Sequence, residues 1–170
     1  GHEIRMIDEH GVELEAGQTG EIVGHSAVMM KGYHGLPEKT REIEWFDATG
    51  KRFIRTGDIG RFDADGFVIL SDRKKDMVLV SGFNVYPNEV EEAMAAHPGI
   101  MECAAVGVAD EHSGEVVKLF VVKKDSALTE QEVLDWGKSK LTGYKRPRQV
   151  EFRTELPKTN VGKILRRQLR

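Results

Sequence analysis

Residues 71–94, "SDRKKDMVLVSGFNVYPNEVEEAM", change character three times within a short length of chain. "SDRKKD" is charged and aperiodic, and "MVLV" is a short apolar run of strand type. From "YPNEVEEAM" onward the spacing becomes helical. Pro87 holds a first-turn position, where its missing N–H leaves no bond unmade, and acidic residues follow it. Val90, Ala93, Met94 and His97 fall on one face before "HPG" stops the helix. A charged segment between two strand-like runs, "FVIL" upstream and "MVLV" downstream, marks a domain boundary, placed between residues 72 and 73.

Upstream the pattern is one of short strands and turns. "EIRMID" alternates and turns at "DEHG", "GEIVG" is strand-like, and "RFDADGFVIL" reads as a hairpin with Asp-Gly at its turn. "PEKTREI" predicts one short helix with Pro37 in its first turn. Downstream the pattern mixes strand and helix. "MECAAVGV", "VVKLFVVKK" and "QVEFR" are strands. "TEQEVLDWGKSKL" opens on a capping box, Thr129 with Glu132, and offers Val133, Trp136 and Leu141 for burial. "KILRRQLR" is expected to form a terminal helix, with Arg166 and Arg167 as surface charges on it. The predicted class is α+β, a β-rich piece followed by a small domain whose mainly antiparallel sheet is flanked by helices.

A chain of 170 residues, 39% apolar and 31% charged, has the balance of a soluble globular protein. No run approaches the roughly 20 apolar residues of a membrane span, although peripheral membrane contact is left open. The opening "GHEIRMIDEHG" has neither the basic start nor the apolar run of a secretory signal. Cys103 is the single cysteine and lies in the apolar run "ECAAVGV", so burial is expected. An intramolecular disulfide is excluded, which fits a reducing compartment such as the cytoplasm. The six histidines show no metal-binding spacing.

The net charge of −3 hides an asymmetry. From Lys138 onward 11 Lys/Arg face only Glu151 and Glu155, a local balance of +9, so the rest carries −12. A basic end on an acidic body fits an anionic partner, and a solvated basic helix accounts for the charge equally well.

Four segments offer chemistry. "RTGD" places a carboxylate, Asp58, in a tight glycine turn, where it could accept paired hydroxyl donors or simply bond its own backbone. "SDRKKD" sets Arg73 beside acids and two lysines, with Lys74 read as solvated. "SGFNVYP" contains Gly82, which permits close backbone approach or a plain turn. "PKTNVGKILRR" holds a lone Gly162-Lys163. A phosphate loop would need a glycine six residues before the lysine and Ser/Thr after it, and those positions are Pro157 and Ile164.

Taken together and in this order, "FIRTGDIGRFDADGFVILSDRKKDMVLVSGFNVYPNEVEEAM", "LTGYKRPRQVEF" and "LPKTNVGKILRR" closely resemble the acyl-adenylate-forming enzymes. Within them the chain is most similar to the bacterial fatty-acyl-CoA ligases, across essentially its whole length. The resemblance implies the C-terminal part of a longer enzyme. Residues 1–72 would be the β-rich end of the large adenylating domain, and residues 73–170 the mobile C-terminal domain. It further implies Asp58 as a ribose ligand, Arg73 at the nucleotide and Lys75 as the hinge. Gly82, with Phe83 and Asn84 beside it, would line the tunnel for the pantetheine arm of CoA. Glu89 reads as a first-turn helix acid rather than a catalyst. Lys163 would enter the active site for adenylation, its ammonium between the acyl carboxylate and the α-phosphate of ATP. The implied partners are a carboxylic acid, ATP with Mg²⁺, CoA and the missing N-terminal domain.

"SDRKKDMVLVSGFNVYPNEVE" and "LTGYKRPR" favour a fatty acid as substrate, with aryl acids as the alternative. A reading of another class is a basic, non-catalytic module for nucleic acid or an acidic partner. Such a module interleaves aromatic residues with its basic ones. From Lys138 onward the aromatics are only Tyr144 and Phe152, so no nucleic acid is expected.

Overall fold

Strands β1 (His2–Ile7) and β2 (Gly20–Ser26) open an antiparallel sheet in the computed structural model, which describes residues 1–170. β4 (Arg52–Phe62) lies antiparallel to β2. β3 (Glu44–Phe46) and β5 (Val68–Arg73) also pair with β4, β3 at its start and β5 at its end. The alternation of these strands buries Ile7, Val23, Trp45 and Phe53 as one core. Trp45 reaches that core with its ring and donates its indole N–H to the Gly11 carbonyl at 2.8 Å. The expected short helix is α1 (Pro37–Glu42). The "DADG" turn forms as read: the Asp63 carboxylate accepts the N–H groups of Asp65 and Phe67, and Gly66 supplies a φ of +85°. These elements belong to one compact unit, residues 1–75.

The second unit, residues 76–170, is built around β9 (Gly114–Lys123). β8 (Ile100–Asp110) forms a long antiparallel hairpin with it, and β10 (Gln149–Arg153) pairs with it in parallel. β6 (Val78–Val80) joins β9 at Gly114 and makes a hairpin with β7 (Phe83–Val85). Helices α2 (Pro87–Ala95) and α3 (Glu130–Lys140) cover one face. Val90, Met94 and Val133 bury there against Cys103, Ala105, Val117, Leu119 and Val121. The opposite face holds Ala104, Val106, Phe120 and Val122 under Leu156 and Leu169. Alternation along β8 and β9 thus feeds two apolar layers, which is why both strands read as nearly continuous apolar runs. The capping box at Thr129 and Glu132 forms in both directions. Trp136 donates to the Ala93 carbonyl at 3.0 Å and meets His97 edge-on at 5.0 Å, fixing α3 on α2. The α+β class with a mainly antiparallel sheet is therefore the observed one. No helix is long and apolar enough to cross a membrane.

Three local expectations are corrected. "RTGD" is not a turn after a strand but part of β4, with Gly57 at φ +73° where the register against β2 shifts. Part of the "SGFNVYP" loop is strand, because Ser81 and Gly82 alone make the turn between β6 and β7. The terminal helix is absent. Leu165 donates its N–H to the Pro157 carbonyl, which ties the segment to an antiparallel partner and leaves only a single 3₁₀ turn at Arg166–Gln168. A helix that short has too few bonds to offset nucleation.

Candidate functional site

In residues 1–75 the register of β4 against β5 sets Asp58 directly opposite Arg73. Arg73 Nε lies 3.1 Å from Asp58 Oδ1, so the two predicted nucleotide-binding residues meet. The bulge at Gly57 turns the local backbone, and the Asp58 N–H bonds to the Thr56 hydroxyl at 3.1 Å. Thr56 in turn donates to the Ile22 carbonyl on β2. The carboxylate therefore stands on a pinned backbone with Oδ2 free to accept donors. Lys75 lies in a short 3₁₀ turn, Lys74–Asp76, immediately after β5. Lys74 is not the solvated charge that was expected. Its ammonium lies 2.8 Å from Glu21, a carboxylate only 5% exposed, which Arg55 also engages at 3.0 Å. A carboxylate that deeply buried needs cationic partners, and the sequence alone does not show that Glu21 is buried.

In residues 76–170 the predicted groups fall at two places. Gly82 (φ +83°) and Ser81 (φ +50°) form a two-residue hairpin turn in which both central residues are left-handed, the geometry that suits strand twist. Phe83 follows it, half exposed, and stacks on Tyr144 with ring centroids 4.6 Å apart. Asn84 is exposed on β7. Glu89 pairs with Lys145 at 2.6 Å, next to Tyr144, consistent with a first-turn acid.

Lys163 stands elsewhere, on a small hairpin of its own. Lys158 and Ile164 form an antiparallel bridge. Thr159 donates its N–H to the Lys163 carbonyl at 2.8 Å, and Lys163 N–H returns to the Thr159 hydroxyl at 3.1 Å. Gly162 at φ +81° closes the turn. The backbone under Lys163 is held from both sides, while its side chain is exposed and makes no ion pair within the chain. No hydrogen bond or ring contact links it to Gly82 or Phe83.

Arg166, expected at the surface, is instead only 14% exposed in its side chain. Its Nε and Nη2 bond both oxygens of Glu91 at 2.9 and 2.7 Å, and Nη1 lies 3.4 Å from Asp76. Its spacing, three residues after Lys163, gave no sign of this, because its partners lie far upstream. Cys103 is buried as expected, and burial, reinforced by Glu91 and Glu102, pushes its thiol pKa up to about 12. No cluster of three or more acidic, His or Cys side chains able to hold a metal ion gathers in the chain.

Residues 89–163 match the model of the AMP-binding enzyme C-terminal domain. It is 51% identical over 168 residues to a long-chain-fatty-acid–CoA ligase of Escherichia coli O157:H7, covering 99% of this chain and 29% of that protein. The corresponding ligase of Bacillus subtilis is 46% identical over 153 residues, 89% of this chain and 26% of the relative. Among solved structures, ATP-bound MatB from Rhodopseudomonas palustris superposes with a TM-score of 0.89 at 38% identity, over 100% of this chain and 33% of MatB. The chain thus spans about a third or less of the length of these relatives.

Proposed function

We propose that this chain is the C-terminal portion of an ATP-dependent, AMP-forming acyl-CoA ligase acting on a fatty acid. The observation that carries the reading is the exposed, unpaired ammonium of Lys163 on a rigid hairpin within the matched AMP-binding enzyme C-terminal domain. In the first half-reaction a carboxylate oxygen of the acid attacks the α-phosphorus of ATP. Pyrophosphate leaves and acyl-AMP forms. In the second, the CoA thiol loses its proton and attacks the acyl carbon, and AMP leaves with its bonding electrons. Lys163 serves the first step, where its charge offsets the negative charge building between carboxylate and phosphate. A preorganised donor of this type lowers a barrier by roughly 3–4 kcal/mol. Asp58 would accept the ribose hydroxyls through its free Oδ2, with Arg73 beside it. Gly82 and Phe83 would flank the CoA arm. Mg²⁺ would arrive with ATP, and because this chain gathers no acidic cluster we assign it no ligand here.

The test is Lys163→Ala in the complete ligase, with the half-reactions assayed separately. Pyrophosphate release should fall by about 10²–10³-fold, while thioester formation from supplied acyl-AMP and CoA persists. Equal loss in both would remove Lys163 from this role. Profiling the complete enzyme against fatty and aryl acids decides the acid class.

A further inference from the structure

The tail that follows Lys163 crosses from one face of the second unit to the edge of its sheet. Leu156 and Leu169 are buried on the face formed by Ala104, Val106, Phe120 and Val122, with Ile164 packed beside them. Between these apolar anchors Arg166 reaches Glu91 on α2 and Asp76 at the start of the unit. Glu91 also holds the sheet, since its Oε1 accepts the Ala105 N–H at 2.8 Å. That N–H belongs to the open edge of β8, whose only strand partner is β9. One carboxylate therefore caps a sheet edge and grips the guanidinium through both oxygens, a geometry that fixes orientation as well as position. Arg170 adds a bond to the Asp76 carbonyl at 3.1 Å.

We propose that Arg166 is a positioning residue for Lys163. The Arg166–Glu91–Asp76 cluster holds the hairpin's C-terminal strand so that the ammonium is delivered in one place. Without this cluster the hairpin would be held to the unit by the Lys158–Glu102 ion pair at 2.7 Å, the Arg170–Asp76 bond and apolar packing, which fix the strand that carries Lys163 less tightly. The bidentate pair, under a fifth exposed on either side, removes that slack. This inference rests on the adenylation role proposed for Lys163.

The experiment uses the complete ligase with Arg166→Lys and, separately, Glu91→Gln. Lysine keeps the charge without the two-pronged grip, and glutamine keeps the acceptor for Ala105. Both variants should fold, judged by an unchanged circular dichroism spectrum. A shift of about 1 Å in a reacting group can cost on the order of 10²-fold. The kcat for pyrophosphate release should accordingly fall by about 10- to 100-fold, with KM for ATP and the thioester half-reaction from supplied acyl-AMP little changed. Equal decline of both half-reactions, or none in either, would overturn the positioning role. Lys163→Ala is run in parallel: if it leaves adenylation intact, the underlying reading fails, whereas a silent Arg166→Lys beside an inactive Lys163→Ala sinks only the inference.

Discussion

Asp58 and Arg73 face each other across β4 and β5, with Arg73 Nε 3.1 Å from Asp58 Oδ1. They are distant along the chain, and the hairpin turn at Asp63 and Gly66 brings them together. The arginine is well exposed, so the pair contributes at most about 1 kcal/mol to stability.

Asp58→Ala should therefore leave the thermal midpoint of the complete ligase nearly unchanged. Loss of a charged acceptor for ribose should raise KM for ATP by about 10- to 100-fold, from roughly 1.5–3 kcal/mol per hydrogen bond to a charged group. An unaltered KM for ATP would exclude the ribose role.

Lys75 lies between Lys74, held by buried Glu21, and Asp76, engaged by Arg166. Lys75→Pro fixes φ near about −65° and removes a backbone donor. If the chain pivots there, thioester formation should slow more than pyrophosphate release, since only the second half-reaction would then require the swing. Stopped-flow assays of each half-reaction measure the ratio, and a proportional decline in both argues against a hinge.

Gly82 tests the turn by itself. A Cβ built there meets no atom within 4 Å, so any cost of substitution comes from its φ of +83°. Gly82→Ala should destabilise by about 1–2 kcal/mol, and Gly82→Asn by less, because asparagine tolerates this conformation. Urea denaturation of both variants checks the order; alanine matching asparagine would contradict the left-handed assignment.

Cys103 should behave as an inert thiol in the folded chain. With its pKa raised to about 12, the thiolate that attacks alkylating reagents is scarce at neutral pH. Labelling by a maleimide at neutral pH is expected only after denaturant unfolds the second unit. Rapid labelling of the native chain would show that the α2 face opens.

Much of the architecture was legible because it rests on local chemistry. Alternation or short apolar runs named most of the strands, though not β3 or β7; Pro87 and the Thr129–Glu132 box started α2 and α3, and Asp63 to Gly66 announced their turn. The misreadings share one cause. "RTGD" has the composition of a turn, yet pairing on both edges of β4 keeps it in the sheet with a bulge at Gly57. "KILRRQLR" has good helix formers, yet the Leu165–Pro157 bond claims its start for a hairpin.

The candidate site divides the same way. Lys163, Asp58 and Gly82 stand out only because their motifs, together and in order, resemble those of the acyl-adenylate-forming enzymes; taken singly, each reads equally well as a turn residue or a surface charge. What Lys74 and Arg166 do could not be read that way. Both look like ordinary surface cations, and each becomes an anchor only because folding places a carboxylate from far along the chain, Glu21 for one and Glu91 for the other, at ion-pair distance. Sequence alone determined most of the strands and the starts of α1, α2 and α3. Only tertiary structure decided which charges are buried, because burial depends on what the rest of the chain removes from water, and that is not written in any local run of residues.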